Sequence, residues 1–181
     1  MDTSFNPEIN LVFDQVNNYS CKKNKKTSDS INYYITTLAN KIIDNIVSIN
    51  KKINLSQIKT AMNNTMTDAD ILKKHCEEHG TKAIAKFAIY DSFAKKEKVP
   101  DTHKTGLIFK IEKVKSIVED KTKKPIDTDA LVYMTMVLEY VTAEIIDLSC
   151  ILAQKDKKVL ITPSLITKAI DSDDELFLVL K

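Results

Sequence analysis

A long uninterrupted helical segment constrains this chain more than any other feature of its sequence. Residues 131–153 read LVYMTMVLEYVTAEIIDLSCILA, without glycine or proline, and would form a helix about 34 Å long. Its polar residues cover only part of the circumference: Thr135, Glu139, Thr142, Glu144 and Asp147. Other elements must therefore cover most of its sides. The three carboxylates lie within about 140° of one another on a helical wheel, which predicts one acidic face in water.

A short helix is expected on each side of this segment. Upstream, residues 111–118 carry apolar side chains at helical spacing, and a lysine-rich loop follows them. An Asp or Thr at 127–129 can then cap the long helix. Downstream, a second basic loop leads to Thr162, which fits an N-cap, and to Pro163, which fits the first position of another helix. The expected order is short helix, basic loop, long helix, basic loop, short helix.

The first half of the chain repeats this order. Residues 9–16 fit a short helix, a lysine-rich loop follows, and Ser28 or Asp29 fits the N-cap of a second long helix. The apolar stripe of that helix steps by three and four residues from 31 to 49. The pair Lys51-Lys52 is expected to end it, as Lys157-Lys158 end its counterpart.

Two later segments complete the first half. SQIKTAM, at residues 56–62, matches SLITKAI, at residues 164–170, in its Ser, Ile and Ala positions, which indicates an internal duplication. Beyond it, Asp68 or Asp70 fits the cap of an added helix that reaches about residue 90.

Contiguous strings in both halves resemble core histones. Four segments of the second half resemble histone 2A: GLIF at 106–109, YMTMVLEYVTAEIIDL at 133–148, KKVLITP at 157–163 and DDEL at 173–176. In the first half, three segments resemble histone 2B: NKK at 50–52, IKTAM at 58–62 and, matching its C-terminal helix, LKKHCEEHGTKAIAKF at 72–87. The chain is thus similar to a fused histone 2B and 2A doublet of the giant-virus type, in a short and nearly tailless form.

The resemblance implies an all-α chain of two tandem histone folds. Histone folds pair head to tail, because a short-long-short helix unit cannot cover its own central helix. Both partners would here lie on one chain as a pseudo-heterodimer, with a 2B-like fold and its C-terminal helix over residues 1–90, a linker over 91–104 and a 2A-like fold over 105–181. This pairing would place the first loop of each unit beside the second loop of the other.

The function that the resemblance implies is the packaging of viral DNA in nucleosome-like particles, without a cofactor and without catalysis. Its partners would be double-stranded DNA, equivalents of histones 3 and 4 that are also expected as a fused doublet, and a second copy of the chain in an octamer-like core. It would work in a virion, a viral factory or a host nucleus. The alternative is a histone-fold interaction module, such as a transcription-factor subunit or a chaperone decoy, that does not wrap DNA.

Charge distribution bears on that choice more than net charge. The formal net charge is only +2, but all 27 basic residues are lysines, and they crowd the predicted loops. By the resemblance, the lysines that contact DNA phosphates are Lys22, Lys23, Lys25, Lys26, Lys51, Lys52, Lys110, Lys113, Lys115, Lys121, Lys123, Lys124, Lys157 and Lys158. Leu160 stands where histone 2A carries an arginine that enters the minor groove, and lysine lacks the planar guanidinium that suits a narrow groove. The match also stops short of the extension with which histone 2A docks on histones 3 and 4, so looser wrapping and weaker assembly are expected.

Six acidic residues match the acidic patch of histone 2A: Glu139, Glu144, Asp147, Asp173, Asp174 and Glu175. That patch docks chromatin proteins through an arginine, so arginine-anchored proteins are expected partners of this chain. The 2B side of the patch is less faithful, because His79 stands where a glutamate is expected.

Other functional classes find little support. Residues 75–79 read H-x-x-E-H, a zinc-protease pattern, but no third protein ligand can be identified, so neither a catalytic nor a metal site is predicted there. Cys21, Cys76 and Cys150 lie outside any CxxC spacing and are expected to be reduced thiols. Neither a run of about 18 apolar residues nor a signal peptide is present, so no membrane partner is predicted.

Overall fold

The computed structural model describes residues 4–47, 51–93 and 106–181, and these residues form an all-α fold. The first half contributes α1 (Asn6–Val16), α2 (Lys25–Asp44), α3 (Leu55–Thr65) and α4 (Asp70–Phe93). The second half contributes α5 (Ile111–Thr122), α6 (Thr128–Lys155), α7 (Pro163–Asp171) and α8 (Asp174–Leu180). The predicted short, long, short order is confirmed in both halves. Most of the predicted linker lies outside the described residues, although residues 91–93 still belong to α4.

The long helix α6 is the centre of the packing, as the sequence predicted. Six helices pack against it: α1, α2, α3, α4, α5 and α7. Thr135 and Thr142, which were expected on its polar side, are instead fully buried. Each hydroxyl donates a hydrogen bond of 2.8 Å to the carbonyl four residues earlier, and Ser149 does the same at 2.7 Å. Because these hydroxyls are satisfied within the helix, neighbouring helices can cover that side as well.

The start of α2 differs from the prediction. The N-cap is Asn24, whose Oδ1 accepts a hydrogen bond from the Thr27 backbone N–H at 3.0 Å. The Thr27 hydroxyl oxygen accepts one from the Asn24 N–H at 3.1 Å, which completes a capping box. The predicted cap Ser28 is buried and donates its hydroxyl proton to Asn10. Two lysines that the sequence placed in the loop therefore lie in the first turn of α2.

The end of α2 also lies earlier than expected. The helix stops at Asp44 and not at Lys51, although Ile46 continues the apolar pattern and packs on the core without being helical. Asn45 follows as the C-cap, and its side-chain amide donates to the Lys41 carbonyl and to the Thr65 hydroxyl, both at 3.1 Å. This bond to α3 holds the chain in a turn that the apolar pattern alone could not reveal. Ile49, the last residue of the predicted stripe, lies outside the described residues.

The two halves meet through two pairs of loops, as the predicted head-to-tail arrangement requires. In the first pair, the Lys22 N–H donates to the Val159 carbonyl at 2.7 Å, and the Ile161 N–H donates to the Lys22 carbonyl at 2.9 Å. These bonds form a parallel bridge between Lys22 and Leu160. We call residues 17–24 and 156–162, together with residues 25–28 in the first turn of α2, the Lys22–Leu160 loop pair.

The second pair has the same backbone geometry. The Ile53 N–H donates to the Pro125 carbonyl at 2.9 Å, and the Asp127 N–H donates to the Ile53 carbonyl at 2.8 Å, which bridges Ile53 and Ile126. We call the described residues of 45–54 and residues 123–127 the Ile53–Ile126 loop pair. The 28 residues of α6 separate the two loop pairs by about 42 Å.

A third cross-half contact joins the beginnings of α1 and α5. The rings of Phe5 and Phe109 stack at 4.9 Å between centroids, with 14° between their planes. Beside them, Glu8 is buried and accepts both of its ion-pair hydrogen bonds from Lys113 at 2.9 Å. A buried carboxylate needs such a partner, so this pair ties α1 to α5.

The helix α4 approaches α6 closely at one glycine. A Cβ atom on Gly80 would lie 2.5 Å from two ring carbons of Tyr133, which is fully buried in α6. At its start, α4 is capped from the other half of the chain, because the Glu175 carboxylate accepts hydrogen bonds from the Ile71 and Leu72 N–H groups at 3.0 and 2.6 Å. Asp70, one of the two predicted caps, is instead the first residue of the helix and pairs with Lys73 at 2.7 Å. None of the described helices is both long and apolar enough to cross a bilayer.

Candidate nucleic-acid interface

The lysines singled out by the sequence gather at three places, although many of them are more than a hundred positions apart in the chain. The Lys22–Leu160 loop pair, which includes the first turn of α2, carries Lys22, Lys23, Lys25, Lys26, Lys157 and Lys158. The Ile53–Ile126 loop pair and the adjoining end of α5 carry Lys51, Lys52, Lys121, Lys123 and Lys124. The start of α5 carries Lys110, Lys113 and Lys115.

The Lys22–Leu160 loop pair has the most available positive charge. Lys23 is paired with Asp14, and Lys158 lies 3.6 Å from Asp156. The other four are exposed and make no ion pair among the described residues: Lys22, Lys25, Lys26 and Lys157. The electrostatic potential there is positive for two reasons. The first turn of α2 contains two lysines and no acidic residue, and the N-terminal end of a helix dipole is itself positive. Cations at the positive end of a helix dipole are unfavourable alone, so this turn is suited to an anion.

The Ile53–Ile126 loop pair is partly neutralised. Lys52 is paired with Asp127, and Lys121 lies 2.7 Å from Asp44. Only Lys51 and Lys123 are exposed there without an ion pair, as far as the described residues extend. Asp127 is also the N-cap residue of α6, but its side chain makes no capping bond.

The three lysines of α5 divide into two kinds. Lys110 and Lys115 are exposed, whereas Lys113 is turned inward. Its ammonium donates to Glu8 and, at 2.6 Å, to the Ser4 carbonyl, and it lies 5.7 Å from the centre of the Phe5 ring. We therefore leave Lys113 out of the proposed DNA contacts. The sequence did contain a sign of this pair, because Glu8 falls on the apolar stripe of α1 four residues before Val12.

Two aliphatic side chains stand exposed among the lysines of the Lys22–Leu160 loop pair. Leu160 is 42% exposed and Val159 is 56% exposed. The backbone at this position is held by the two bridge hydrogen bonds, and the Thr27 hydroxyl donates to the Ile161 carbonyl at 2.6 Å. The position expected to replace an arginine is thus a rigid, solvent-facing one.

The six acidic residues are only partly gathered. A groove of about 170 Å³ brings Glu144, Asp173 and Glu175 together beside Ile71 and Tyr140. Asp147 and Asp174 do not line this groove, and Glu139 lies in a separate cavity of about 220 Å³.

Three of these carboxylates also hold the fold. Asp173 is the N-cap of α8 and accepts from the Leu176 N–H at 2.8 Å, while Glu175 caps α4. Glu139 Oε2 accepts from the Ile108 and Phe109 N–H groups at 2.7 and 2.8 Å. Burial raises the pKa of the Glu139 carboxyl, and these two backbone bonds oppose the rise only in part.

The H-x-x-E-H histidines both contact one tyrosine of the other half. His75 Nδ1 lies 3.0 Å from the Tyr140 hydroxyl, and the His79 ring stacks on the Tyr140 ring at 4.7 Å. Within the described part of the chain, no three His, Cys, Asp or Glu side chains come together as a metal site. The two histidines thus pack α4 against α6.

Comparisons with known proteins agree with this architecture for the second half. Residues 92–171 match the core histone domain that is shared by histones 2A, 2B, 3 and 4. Histone 2A of Trypanosoma cruzi is 40% identical over 81 residues, which are 43% of this chain and 60% of that protein. Histone 2A.1 of Eremothecium gossypii is 40% identical over 74 residues, covering 40% of this chain and 56% of its own length.

A third relative, histone 2A-IV of Volvox carteri, is 37% identical over 84 residues, covering 46% of this chain and 65% of its own length. The chain therefore spans less than two thirds of the length of these curated relatives. Over residues 92–171 it carries a histone fold with homology to histone 2A.

Proposed function

We propose that this chain, with its histone fold related to histone 2A, packages DNA in nucleosome-like assemblies. The observation that supports this most strongly is the Lys22–Leu160 loop pair, where four exposed lysines have no ion pair among the described residues. Lysines on a rigid loop neutralise phosphates without reading bases, so binding should be independent of DNA sequence and should weaken steeply with salt.

The finer proposal is that the whole chain is a doublet, with a 2B-like fold over residues 1–90, a linker over 91–104 and a 2A-like fold over 105–181. The repeated helix order and the two equivalent loop pairs support this division. Fusion gives the halves a high effective concentration for each other, so a single chain should fold as a pseudo-heterodimer. The order of the halves resembles that of giant-virus doublets, and it is the basis for proposing a viral protein that acts in a virion, a viral factory or a host nucleus.

The proposed assembly places two copies of this chain with equivalents of histones 3 and 4, as in an octamer. The groove that contains Glu144, Asp173 and Glu175 would then dock an arginine-anchored protein. Asp173 and Glu175 also cap helices, so a binding test should substitute Glu144 first. If the Glu144→Ala variant no longer binds an arginine-anchored peptide while its circular dichroism spectrum stays unchanged, this docking is supported.

Reconstitution with tetramers of histones 3 and 4 and with DNA, followed by nuclease digestion, tests the proposed function. The wild-type chain should extend the protected DNA beyond the length that the tetramer alone protects. A variant with Lys22, Lys25, Lys26 and Lys157 all changed to Ala should fold and lose this extension. The control variant changes the exposed lysines of α4, which are not proposed contacts, and should keep the extension: Lys74, Lys82 and Lys86.

The alternative is an interaction module that uses the same fold without wrapping DNA. The neutralisation of Lys52 and Lys121 by Asp127 and Asp44 favours it, because these lysines are less available to phosphates. The same reconstitution separates the two functions. An interaction module would bind histone partners and leave the length of protected DNA unchanged.

A further inference from the structure

Two cysteines far apart in the sequence meet beside the Lys22–Leu160 loop pair. Cys21 immediately precedes Lys22, and Cys150 lies in the last part of α6. The Cys21 sulfur is 4.0 Å from the Cys150 carbonyl oxygen, and the Cys150 sulfur is 3.8 Å from the Asn17 side-chain oxygen that also accepts from the Cys21 N–H. Both residues are buried and free. The two cysteines therefore lie next to each other at the boundary between the two halves.

A single asparagine fixes this arrangement. The Asn17 amide donates to the Cys21 carbonyl at 2.6 Å, and its Oδ1 accepts from the Cys21 N–H at 3.0 Å. The same oxygen lies 3.8 Å from the Cys150 sulfur. Because the loop backbone is held on both sides of Cys21, its thiol is kept against α6 and is not free to turn away.

We propose that Cys21 and Cys150 form a reversible disulfide that staples the two halves at the Lys22–Leu160 loop pair. The oxidant is a small-molecule disulfide of the glutathione class. The Cys21 thiolate attacks one of its sulfurs, which forms a mixed disulfide and releases one small thiol. The Cys150 sulfur then attacks the Cys21 sulfur, which forms the protein disulfide and releases the second thiol. The protein loses two hydrogen atoms, and the small disulfide is reduced to two thiols.

Burial sets the rate of this exchange. It raises the pKa of the Cys150 thiol to about 12, so little thiolate is present in the closed structure. Cys21 is 7% exposed and lies on a loop, whereas Cys150 is 0% exposed and lies in α6. The first attack therefore belongs to Cys21 during local opening of the loop, and oxidation should be slow compared with that of an exposed thiol.

The disulfide would act on the loop pair in two ways. It would close a chain loop between residues 129 positions apart, which restricts the unfolded state and stabilises the folded one. It would also hold Lys22, the neighbour of Cys21, at its bridge to Leu160. Oxidation would thus keep the more basic of the two described loop pairs assembled.

Peptide mapping of the wild-type chain decides the proposal without any DNA. The reduced, folded protein is incubated with oxidised glutathione, alkylated, digested without reductant and analysed by mass spectrometry. The expected product is a peptide linking Cys21 to Cys150, with Cys76 still alkylated as a free thiol. Glutathione adducts without the cross-link, or cross-links to Cys76 at a similar yield, would overturn it. Because no DNA is present, neither result depends on the proposed packaging function.

Matched variants sharpen the result. The buried Cys76 serves as the control, so Cys76→Ser should still form the link, while Cys21→Ser and Cys150→Ser should not. Oxidised wild type should melt higher than reduced wild type, by about 5 °C or more for a domain of this size, and the Cys21→Ser variant should show no such difference. An equal shift in that variant would contradict the assignment.

Discussion

The two loop pairs have the same backbone and different surfaces. Each is a parallel bridge flanked by two cross-half hydrogen bonds, but Ile53 and Ile126 are buried whereas Leu160 is 42% exposed. The Lys22–Leu160 loop pair also keeps four exposed lysines without ion pairs, against two at the other loop pair, among the described residues. The shared bridge holds the halves together, while the flanking side chains decide how strongly each end attracts an anion.

The largest expected difference appears when the same substitution is made at the equivalent position of each bridge. Ile126→Arg places a charge at a residue that is only 6% exposed, which should lower the free energy of unfolding by about 3 kcal/mol or more. Leu160→Arg changes a solvent-facing side chain and should alter the free energy of unfolding by less than about 0.5 kcal/mol. Urea unfolding followed by circular dichroism measures both. Equal effects would mean that the two bridges are not as different as their burial indicates.

The next largest effect concerns the lysines. Changing Lys22, Lys25, Lys26 and Lys157 to Ala should reduce the slope of log binding constant against log salt concentration by about 3 to 4, since each phosphate contact contributes about 0.9. Changing Lys51 and Lys123 to Ala should reduce it by about 2. Salt titrations of duplex binding, followed by fluorescence anisotropy, measure both slopes. A larger loss from the Lys51 and Lys123 variant would reverse the ranking of the two loop pairs.

A smaller gain is expected when an arginine is placed at the exposed bridge. Leu160→Arg should raise the salt concentration at which DNA is released, because a guanidinium among lysines can enter a narrow minor groove as leucine cannot. Leu160→Lys is the matched control, since it adds the same charge without the planar group and should give a smaller increase. No change in either variant would indicate that this loop does not face DNA.

The smallest expected effect is a pH dependence of the free energy of unfolding, caused by a carboxyl group in the part of α6 between the two loop pairs. Glu139 holds the segment that leads into α5, and burial raises its pKa above the ordinary value of 4.5. As pH rises past that value, the unfolded chain loses this proton before the folded chain does, so the free energy of unfolding should fall. The fall should end above the raised pKa. The Glu139→Gln variant has no titrating group at this position and serves as the reference. In urea titrations at increasing pH, the free energy of unfolding of wild type should fall relative to that of the variant between pH 4.5 and the raised pKa. A rise of wild type relative to the variant would contradict the assignment.

Sequence reasoning worked where the signal was local or periodic. The apolar residues of α6 predicted a helix covered on most sides, and Thr162 is the N-cap before Pro163, with its hydroxyl accepting from the Leu165 N–H at 3.3 Å. The cross-half loop pairing was predicted by the resemblance to histone folds, which pair head to tail, and not by the helical pattern alone.

Sequence reasoning fell short wherever a side chain has a partner distant in the chain. Glu175 caps α4 across 103 positions, and Glu8 holds Lys113 across 105 positions. The acidic surface was predicted from the resemblance, but Glu139 and Glu175 carry backbone hydrogen bonds to residues 31 and 103 positions away, which no local spacing rule contains. The capping box of Asn24 was a local signal that was missed, because Ser28 and Asp29 are equally good cap residues by composition.

Acetylation of every lysine, measured by mass spectrometry with and without bound DNA, shows directly which lysines face DNA. We expect the strongest protection at Lys22, Lys25, Lys26 and Lys157, with weaker protection at Lys51 and Lys123. The exposed α4 lysines Lys74 and Lys82 should react equally in both states. If DNA protects the α4 lysines as strongly as those of the Lys22–Leu160 loop pair, the loop pairs are not the DNA-binding surface.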